Sequence, residues 1–271
     1  MGIKGLLNEF KSCTRHCNIS DFHGKRIAVD GYVWLHKCAH LCAKEIFNDP
    51  GSKAILPFLL TKLQLLLTNE IHPFFVFDGR PLPSKLETNR IRHEAREKAS
   101  KYIYEMEKNG KTNELTSYDY IAAISIQFET VKTFIDFLKA QNIPFIIAPY
   151  EADAQLAYLS RTKQVDLVLT DDSDLLPYGA SDVLFKMNDE GNVDYIKFVD
   201  VISVLKINDY KVEAPKKKSK KAISNFNHTM SMSEFYEFTG IEGVSENQYE
   251  DFLTVCILCG CDYSPSIKTI G

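Results

Sequence analysis

Four short apolar runs in this chain each end at, or just before, an acidic residue, and that repetition constrains the fold more than any other feature. They are Ile27 to Val29 before Asp30, Phe74 to Phe77 before Asp78, Phe145 to Ala148 before Glu151, and Leu167 to Leu169 before Asp171. Runs this short, rich in β-branched and aromatic residues, read as strands buried on both faces of a parallel sheet. Helical patterns lie between them: Tyr32 to Phe47, Lys53 to Thr68 despite Pro57, Ile121 to Ala140, and Glu151 to Arg161. The alternation predicts an α/β fold whose central, mostly parallel twisted sheet carries helices on both faces. Val183 to Met187 and Asp194 to Phe198, joined through Asn188 to Asn192, predict a hairpin at the edge of that sheet.

In open parallel sheets, ligands bind beyond the carboxyl ends of the strands, where loops from several strands converge. Asp30, Asp78, the Glu151 and Asp153 pair, and Asp171, Asp172 and Asp174 stand at such ends, while Asp262 follows the apolar stretch Phe252 to Leu258 through Gly260. A single acid in such a place is ordinarily a helix cap or a solvated turn residue. Acids recurring at five strand or helix ends are harder to explain that way. Brought together without partners they would repel one another and rise in pKa. A hard divalent cation removes that penalty, and carboxylates with water suit Mg²⁺ or Mn²⁺ better than zinc. Two such ions about 4 Å apart suit in-line attack on a phosphodiester.

After Asp78 the chain turns basic, with Arg80, Lys85, Arg90, Arg92, Arg96, Lys98 and Lys101. Lys85, Arg92 and Arg96, seven and four residues apart, fall on one helical face that can grip a phosphate backbone. The plainer alternative is a solvated helix paired internally through Glu87, Glu94 and Glu97. The net charge of −4 does not exclude a nucleic-acid partner, because setting aside seven metal-binding acids reverses its sign. Seven cysteines, an odd number, fit reduced thiols in cytosol or nucleus. Cys13 and Cys17, Cys38 and Cys42, and the group Cys256, Cys259 and Cys261 raise zinc as an alternative, but their helical spacing and apolar setting favour small core residues. No apolar run approaches the roughly 18 residues of a membrane span, so no membrane partner is expected. Residues 208–246, with Lys216, Lys217, Lys218, Lys220 and Lys221, are expected to form a surface insertion; its lysines could be a nuclear localisation signal, a DNA-touching patch or simply a solvated loop.

The blocks MGIKGLL, AVDGYVWLHK, FVFDGRPLPSK, APYEADAQLAYL, LTDDSDLLPYG and LCGCDY, in that order and spread over nearly the whole chain, resemble the structure-specific 5′ nuclease family. That family includes flap endonuclease, the nucleotide-excision-repair nuclease and exonuclease 1. DGYVWLHK and EADAQLAYL resemble the exonuclease 1 branch. The resemblance implies a PIN-like nuclease domain over 1–271, with an N-terminal nuclease region at 1–105, a helical arch at 84–118 and an internal nuclease region at 119–271. It implies metal ligands at Asp30, Asp78, Glu151, Asp153, Asp172, Asp174 and Asp262 for two Mg²⁺ ions, with Mn²⁺ as a substitute. Asp171 stays outside that set. Lys85 and Arg92 would act on the scissile phosphate, and Gly2, Tyr32, His36, Arg96 and Lys186 would contact DNA. For His36 alone, a satisfied core or surface histidine is the simpler reading.

By the same resemblance the chain is expected to be a nuclear, monomeric 5′→3′ exonuclease on double-stranded DNA with 5′ ends, nicks or flaps. It would also cut 5′ flaps, and it would act in mismatch repair, end resection and recombination. Its rivals are a flap endonuclease of replication and base-excision repair and a catalytically weak nucleic-acid-binding scaffold. Ser266 to Gly271 resembles the start of the family's potassium-assisted helix-two-turn-helix, expected to begin near residue 264. The chain is therefore expected to hold all seven acids but little of that duplex clamp or of any docking region for repair partners.

Overall fold

The computed structural model describes residues 2–205 and 244–264. Most of the anticipated insertion and the start of the helix-two-turn-helix lie outside these residues. The chain enters through α1 (Leu6–Glu9) and β1 (Arg15–Asn18), then β2 (Arg26–Asp30), α2 (Gly31–Leu41), α3 (Ala43–Asn48) and α4 (Leu56–Thr68). Next come β3 (His72–Phe77), the long charged helix α5 (Leu86–Lys108), α6 (Ser117–Ala123), α7 (Phe128–Ala140), β4 (Phe145–Ile147) and α8 (Ala152–Arg161). The strands β5 (Leu167–Thr170), β6 (Asp182–Phe185) and β7 (Asn192–Lys197) precede α9 (Phe198–Val204), and α10 (Glu246–Cys259) closes the described part.

The strands form one seven-stranded sheet in the order β1-β7-β6-β5-β2-β3-β4. Pairings of β2 with β3 and β5, of β3 with β4, and of β5 with β6 are parallel, whereas β6 with β7 and β7 with β1 are antiparallel. Strand β2 lies where the order reverses, so its carboxyl end at Asp30 opens onto the crevice that such sheets use for ligands.

Alternate residues of the strands feed two separate cores, which is why their sequences are apolar throughout. Ile27, Val29, Phe75, Phe77, Leu167 and Leu169 pack on one face against Trp34, Leu35, Leu59, Leu63 and Phe134. Ala28, Val76, Val168, Val183 and Phe185 face the other way, against Leu156, Ile202, Phe252 and the N-terminal Ile3, Leu6 and Phe10. Phe134 of α7 meets Phe75 and Phe77 edge-on at 5.3 and 5.5 Å. Truncating a ring so enclosed costs about 3–5 kcal/mol.

Three expectations need correction. The hairpin β6–β7 is not the sheet's edge, because β1 pairs outside it, Arg15 with Tyr195 through Asn18 with Asn192. This strand reads RHCN and is half exposed, so it has no apolar run by which to be recognised. The helix expected over Tyr32 to Phe47 breaks at Cys42, whose φ of −130° leaves the helical region. The helix expected over Ile121 to Ala140 is two helices, separated by extended backbone that starts at Ile124, ψ 144°. Pro57, by contrast, costs nothing, because it sits in the first turn of α4, where its missing N–H would have no partner. All seven cysteines are free thiols.

Candidate active site

Each strand end delivers its acid through a backbone device written locally in the sequence. Asp30 is the N-cap of α2: its carboxylate accepts the Val33 N–H at 3.0 Å and the Thr170 hydroxyl at 3.0 Å. Asp78 leaves β3 and accepts the Ala152 N–H at 2.7 Å, so the β3 acid caps the helix that carries the Glu151 and Asp153 pair. Gly79 makes that approach possible, since a Cβ there would stand 1.9 Å from the Ala148 carbonyl oxygen. Asp172 caps the short turn Ser173–Leu175 by accepting the Asp174 N–H at 3.0 Å. Asp174 in turn accepts the Ile3 N–H at 3.0 Å, which ties the N-terminus to the site. Gly2 (φ +81°) lies so close that a Cβ would stand 2.3 Å from Asp172 Oδ1 and 2.8 Å from Asp174 Oδ1.

A cleft of about 450 Å³ gathers Asp30, Asp78, Glu151, Asp153, Asp172 and Asp262 with Tyr32, His36, Lys85, Arg92 and Arg96. Six of the seven nominated acids therefore share one opening. Asp174 lies behind them, buried between Ile3 and a neighbouring apolar pocket. Lys186 is elsewhere, on the groove between β1 and β7, with its ammonium 3.5 Å from Asp194. Asp171 turns away from the cleft to Lys37, at 2.6 Å, and accepts the Lys186 N–H at 3.0 Å.

Cations face the acids across the cleft. Lys85, itself buried, stands 2.7 Å from Glu151 and 3.5 Å from Asp262, and Arg92 binds both oxygens of Asp262. Thr88 donates to the Asp262 carbonyl at 2.9 Å, so the start of α5 is fastened to the loop after α10. The rest of α5 follows the plainer reading: Arg90 pairs with Glu87 and Glu94, and Lys101 with Glu97.

Burial of so many acids perturbs them. Burial lifts Asp30 to about 7, with Asp78 and Asp172 adding repulsion. Asp174 rises to about 6 through burial and the Asp172 charge. Burial and the neighbouring carboxylates also raise Asp153, and burial raises Asp78 and Asp172. Burial drives His36 down to about 4, helped by Arg96, His40 and Arg92, so it faces the cleft as a neutral ring. Burial lowers and Glu151 raises the Lys85 ammonium, and the carboxylate prevails.

The donor set fits a hard divalent cation. Its members are all oxygen and mutually repelling, and Asp153 accepts no hydrogen bond among the described residues. The acids ring the cleft and do not close on one point; among the described residues no three His, Cys, Asp or Glu side chains form a compact coordination group. Lys85 and Arg92 account for this, because they draw Glu151 and Asp262 toward α5.

A carboxylate cleft at the carboxyl ends of a mostly parallel sheet, overhung by a basic helix, defines the α/β class to which the 5′ nucleases belong. Two family models match the chain: the XPG N-terminal domain over residues 1–99 and the XPG I-region over residues 142–262. The chain belongs to this family of structure-specific 5′ nucleases. It is 34% identical over its full length to exonuclease 1 of Arabidopsis thaliana, covering 32% of that protein. It is 36% identical to exodeoxyribonuclease 1 of Schizosaccharomyces pombe over 77% of its own length and 36% of the relative's. The chain thus spans about a third of the length of these relatives. In fold it is similar to the catalytic core of Rad2 in complex with DNA substrate, with a TM-score of 0.63 at 19% identity, over 99% of this chain and 64% of that one.

Tyr178 and Tyr263 were missed by sequence reasoning. Tyr263 donates to Glu151 Oε2, Tyr178 stands 3.4 Å from the same oxygen, and the two hydroxyls bond to each other. Burial raises both phenols, Tyr178 to about 12, so both act as neutral hydroxyls. Their proximity to the acid motifs, in LPYG and CDY, was the available signal.

Proposed function

We propose that this chain is the nuclease core of a Mg²⁺-dependent 5′→3′ exonuclease on double-stranded DNA that also cuts 5′ flaps and releases 5′-phosphates. One observation carries the reading: six acids, from buried Asp30 to exposed Asp78, and the cations Lys85, Arg92 and Arg96 line a single cleft. Asp30, Asp78, Glu151, Asp153, Asp172 and Asp262, with Asp174 behind them, would hold two Mg²⁺ ions, for which Mn²⁺ could substitute. Such ions supply a hydroxide nucleophile and stabilise the leaving oxygen. Lys85 and Arg92 bind the scissile phosphate and offset the charge that grows on it. Arg96 grips the adjoining backbone, while Gly2, Tyr32 and neutral His36 border the scissile nucleotide. Lys186, outside the cleft, contacts the duplex backbone further along.

The names of the relatives, exonuclease 1 and exodeoxyribonuclease 1, support an exonuclease acting on DNA; a nuclear role in mismatch repair, end resection and recombination completes the proposal. The core would act as a monomer, with repair partners docking on a region beyond it. The deciding experiment is Asp172→Ala, assayed on a recessed 5′ end and on a 5′ flap with Mg²⁺ or EDTA. Cleavage by the parent should need Mg²⁺ and vanish in the variant, while DNA binding persists. Mg²⁺-dependent cleavage by Asp172→Ala at the parent's rate would remove the assignment.

A further inference from the structure

The ion pair between Lys85 and Glu151 is enclosed by two tyrosines that no motif assigns to the chemistry. Lys85 Nζ lies 2.7 Å from Glu151 Oε1. The other oxygen, Oε2, faces the hydroxyls of Tyr263 and Tyr178. The ring of Tyr263 also lies under the ammonium, with Lys85 Nζ 4.6 Å from its centroid. Tyr263 therefore touches both partners of one ion pair, the carboxylate through its hydroxyl and the cation through its face. Both contacts are attractive to the charged forms.

The second tyrosine is anchored from three sides. The Tyr178 N–H donates to the Asp174 carbonyl at 3.1 Å, and its own carbonyl accepts from Arg161 at 2.7 Å. Tyr249 of α10 donates to the adjacent Pro177 carbonyl at 2.5 Å. The hydroxyl pair thus joins the start of α8, the segment bearing Asp172 and Asp174, and the loop bearing Asp262, three segments that each supply a cleft acid. A phosphate entering the cleft competes with Glu151 for Lys85. When it draws the ammonium off, Glu151 loses its cation and Lys85 loses its fixed position unless something else holds each of them.

We infer that Tyr263 and Tyr178 are positioning residues for the nuclease reaction: their hydroxyls hold the Glu151 carboxylate in place at the cleft, and the Tyr263 ring retains Lys85 at the cleft wall as it transfers from carboxylate to phosphate. The inference rests on the nuclease reading above. It extends the site by two residues that touch neither substrate nor metal.

The test uses the full chain with Tyr178→Phe, Tyr263→Phe, the double variant and Tyr263→Leu. Tyr263→Phe removes the hydroxyl and keeps the ring; Tyr263→Leu removes both. Single-turnover rates and Mg²⁺ dependence on a recessed 5′ end are paired with Mn²⁺ binding by calorimetry without DNA, DNA affinity in Ca²⁺, and thermal melting. Tyr263→Phe should lower the rate about tenfold and weaken Mn²⁺ severalfold, with DNA affinity and melting near the parent's, as expected for a lost hydrogen bond to a charged group. Tyr178→Phe should show a smaller loss in the same direction, and the double variant should fall short of the product of the two, because the hydroxyls act as a unit. Tyr263→Leu should lose more rate than Tyr263→Phe. If Tyr263→Phe fails to fold, Tyr178→Phe alone decides. Rates and Mn²⁺ affinity within about twofold of the parent in folded variants overturn the inference and leave the nuclease reading standing. A parent that cuts no DNA but whose Mn²⁺ affinity falls when these hydroxyls are removed overturns the nuclease reading and leaves their hold on Glu151. A parent that does neither overturns both.

Discussion

Arg92 directs one guanidinium nitrogen to both carboxylate oxygens of Asp262, at 2.8 and 3.0 Å, across 170 residues of sequence. The cation proposed to bind phosphate is thus held by an acid proposed to bind metal. Metal and phosphate would each free the partner that the other needs, so their binding should be mutually favourable. Arg92→Ala should lower the single-turnover rate about 100-fold or more, the cost of losing one donor to a transition-state oxyanion. Duplex affinity in Ca²⁺ should change far less. A rate loss matched by an equal loss of affinity would make Arg92 an ordinary backbone contact.

Metal-free protein should melt at a higher temperature at pH 6 than at pH 8. Asp30 is raised to about 7 and Asp174 to about 6, both by burial, so below these values the folded state holds protons that the unfolded state releases until its ordinary carboxylate range. The raised groups therefore destabilise the fold above their folded pKa and cease to do so as pH falls. His36 works in the opposite sense: held near 4, it stays neutral in the fold while the unfolded ring protonates below about 6.5. Its stabilising contribution fades below that pH and should flatten the gain toward pH 5. Mg²⁺ should raise the melting temperature more at pH 8 than at pH 6, and Asp30→Asn should remove much of the slope in EDTA. Scanning fluorimetry across pH, with EDTA or Mg²⁺, measures all three.

Gly79→Ala should be among the costliest single-methyl additions in the chain. The new Cβ would meet backbone at Ala148 and Pro149, 1.9 and 2.9 Å away, and backbone cannot rotate aside as a side chain can. A loss of about 3 kcal/mol or more is expected, at the upper end of overpacking costs. Gly110→Ala is the control. Its φ of +69° strains alanine, but no atom lies within 4 Å of the new Cβ, so about 1 kcal/mol is expected. Urea unfolding of the two variants separates close approach from backbone strain.

The strands and acids that were legible in the sequence share one physical cause. A strand buried on both faces must be apolar throughout, and its last residue must cap the next helix or face solvent; Ile27 to Asp30 shows both in four letters. What escaped lacks such pressure. Strand β1 is half exposed, so nothing in RHCN distinguishes it from a loop, and only its pairing with β7 makes it a strand. The break at Cys42 depends on α3 turning toward α6, a tertiary demand without local punctuation such as glycine or proline. Tyr178 and Tyr263 are 85 residues apart and meet only when α10 has docked on the α8 side of the sheet. Charge pattern did place Lys85, Arg92 and Arg96 on one face, although Lys85 lies in the 3₁₀ turn that precedes α5.

Asp171 and Asp172 are adjacent, equally acidic and at the same strand end, yet they should give opposite results on substitution. Asp172 caps the Ser173–Leu175 turn and faces the cleft, so its loss should abolish cleavage. Asp171, in the bend just past β5, points the other way. It joins Lys37 of α2 at 2.6 Å and receives the Lys186 N–H, whose residue holds a left-handed φ of +57° at the end of β6. Asp171→Ala should therefore cost about 1–2 kcal/mol of stability through the half-buried pair and the orphaned amide. It should leave the Mg²⁺-dependent rate within about threefold of the parent's, a change of less than 1 kcal/mol in the barrier. Urea unfolding and single-turnover cleavage of the two variants, run side by side, test the assignment; loss of cleavage in Asp171→Ala at unchanged stability would place this acid among the metal ligands after all.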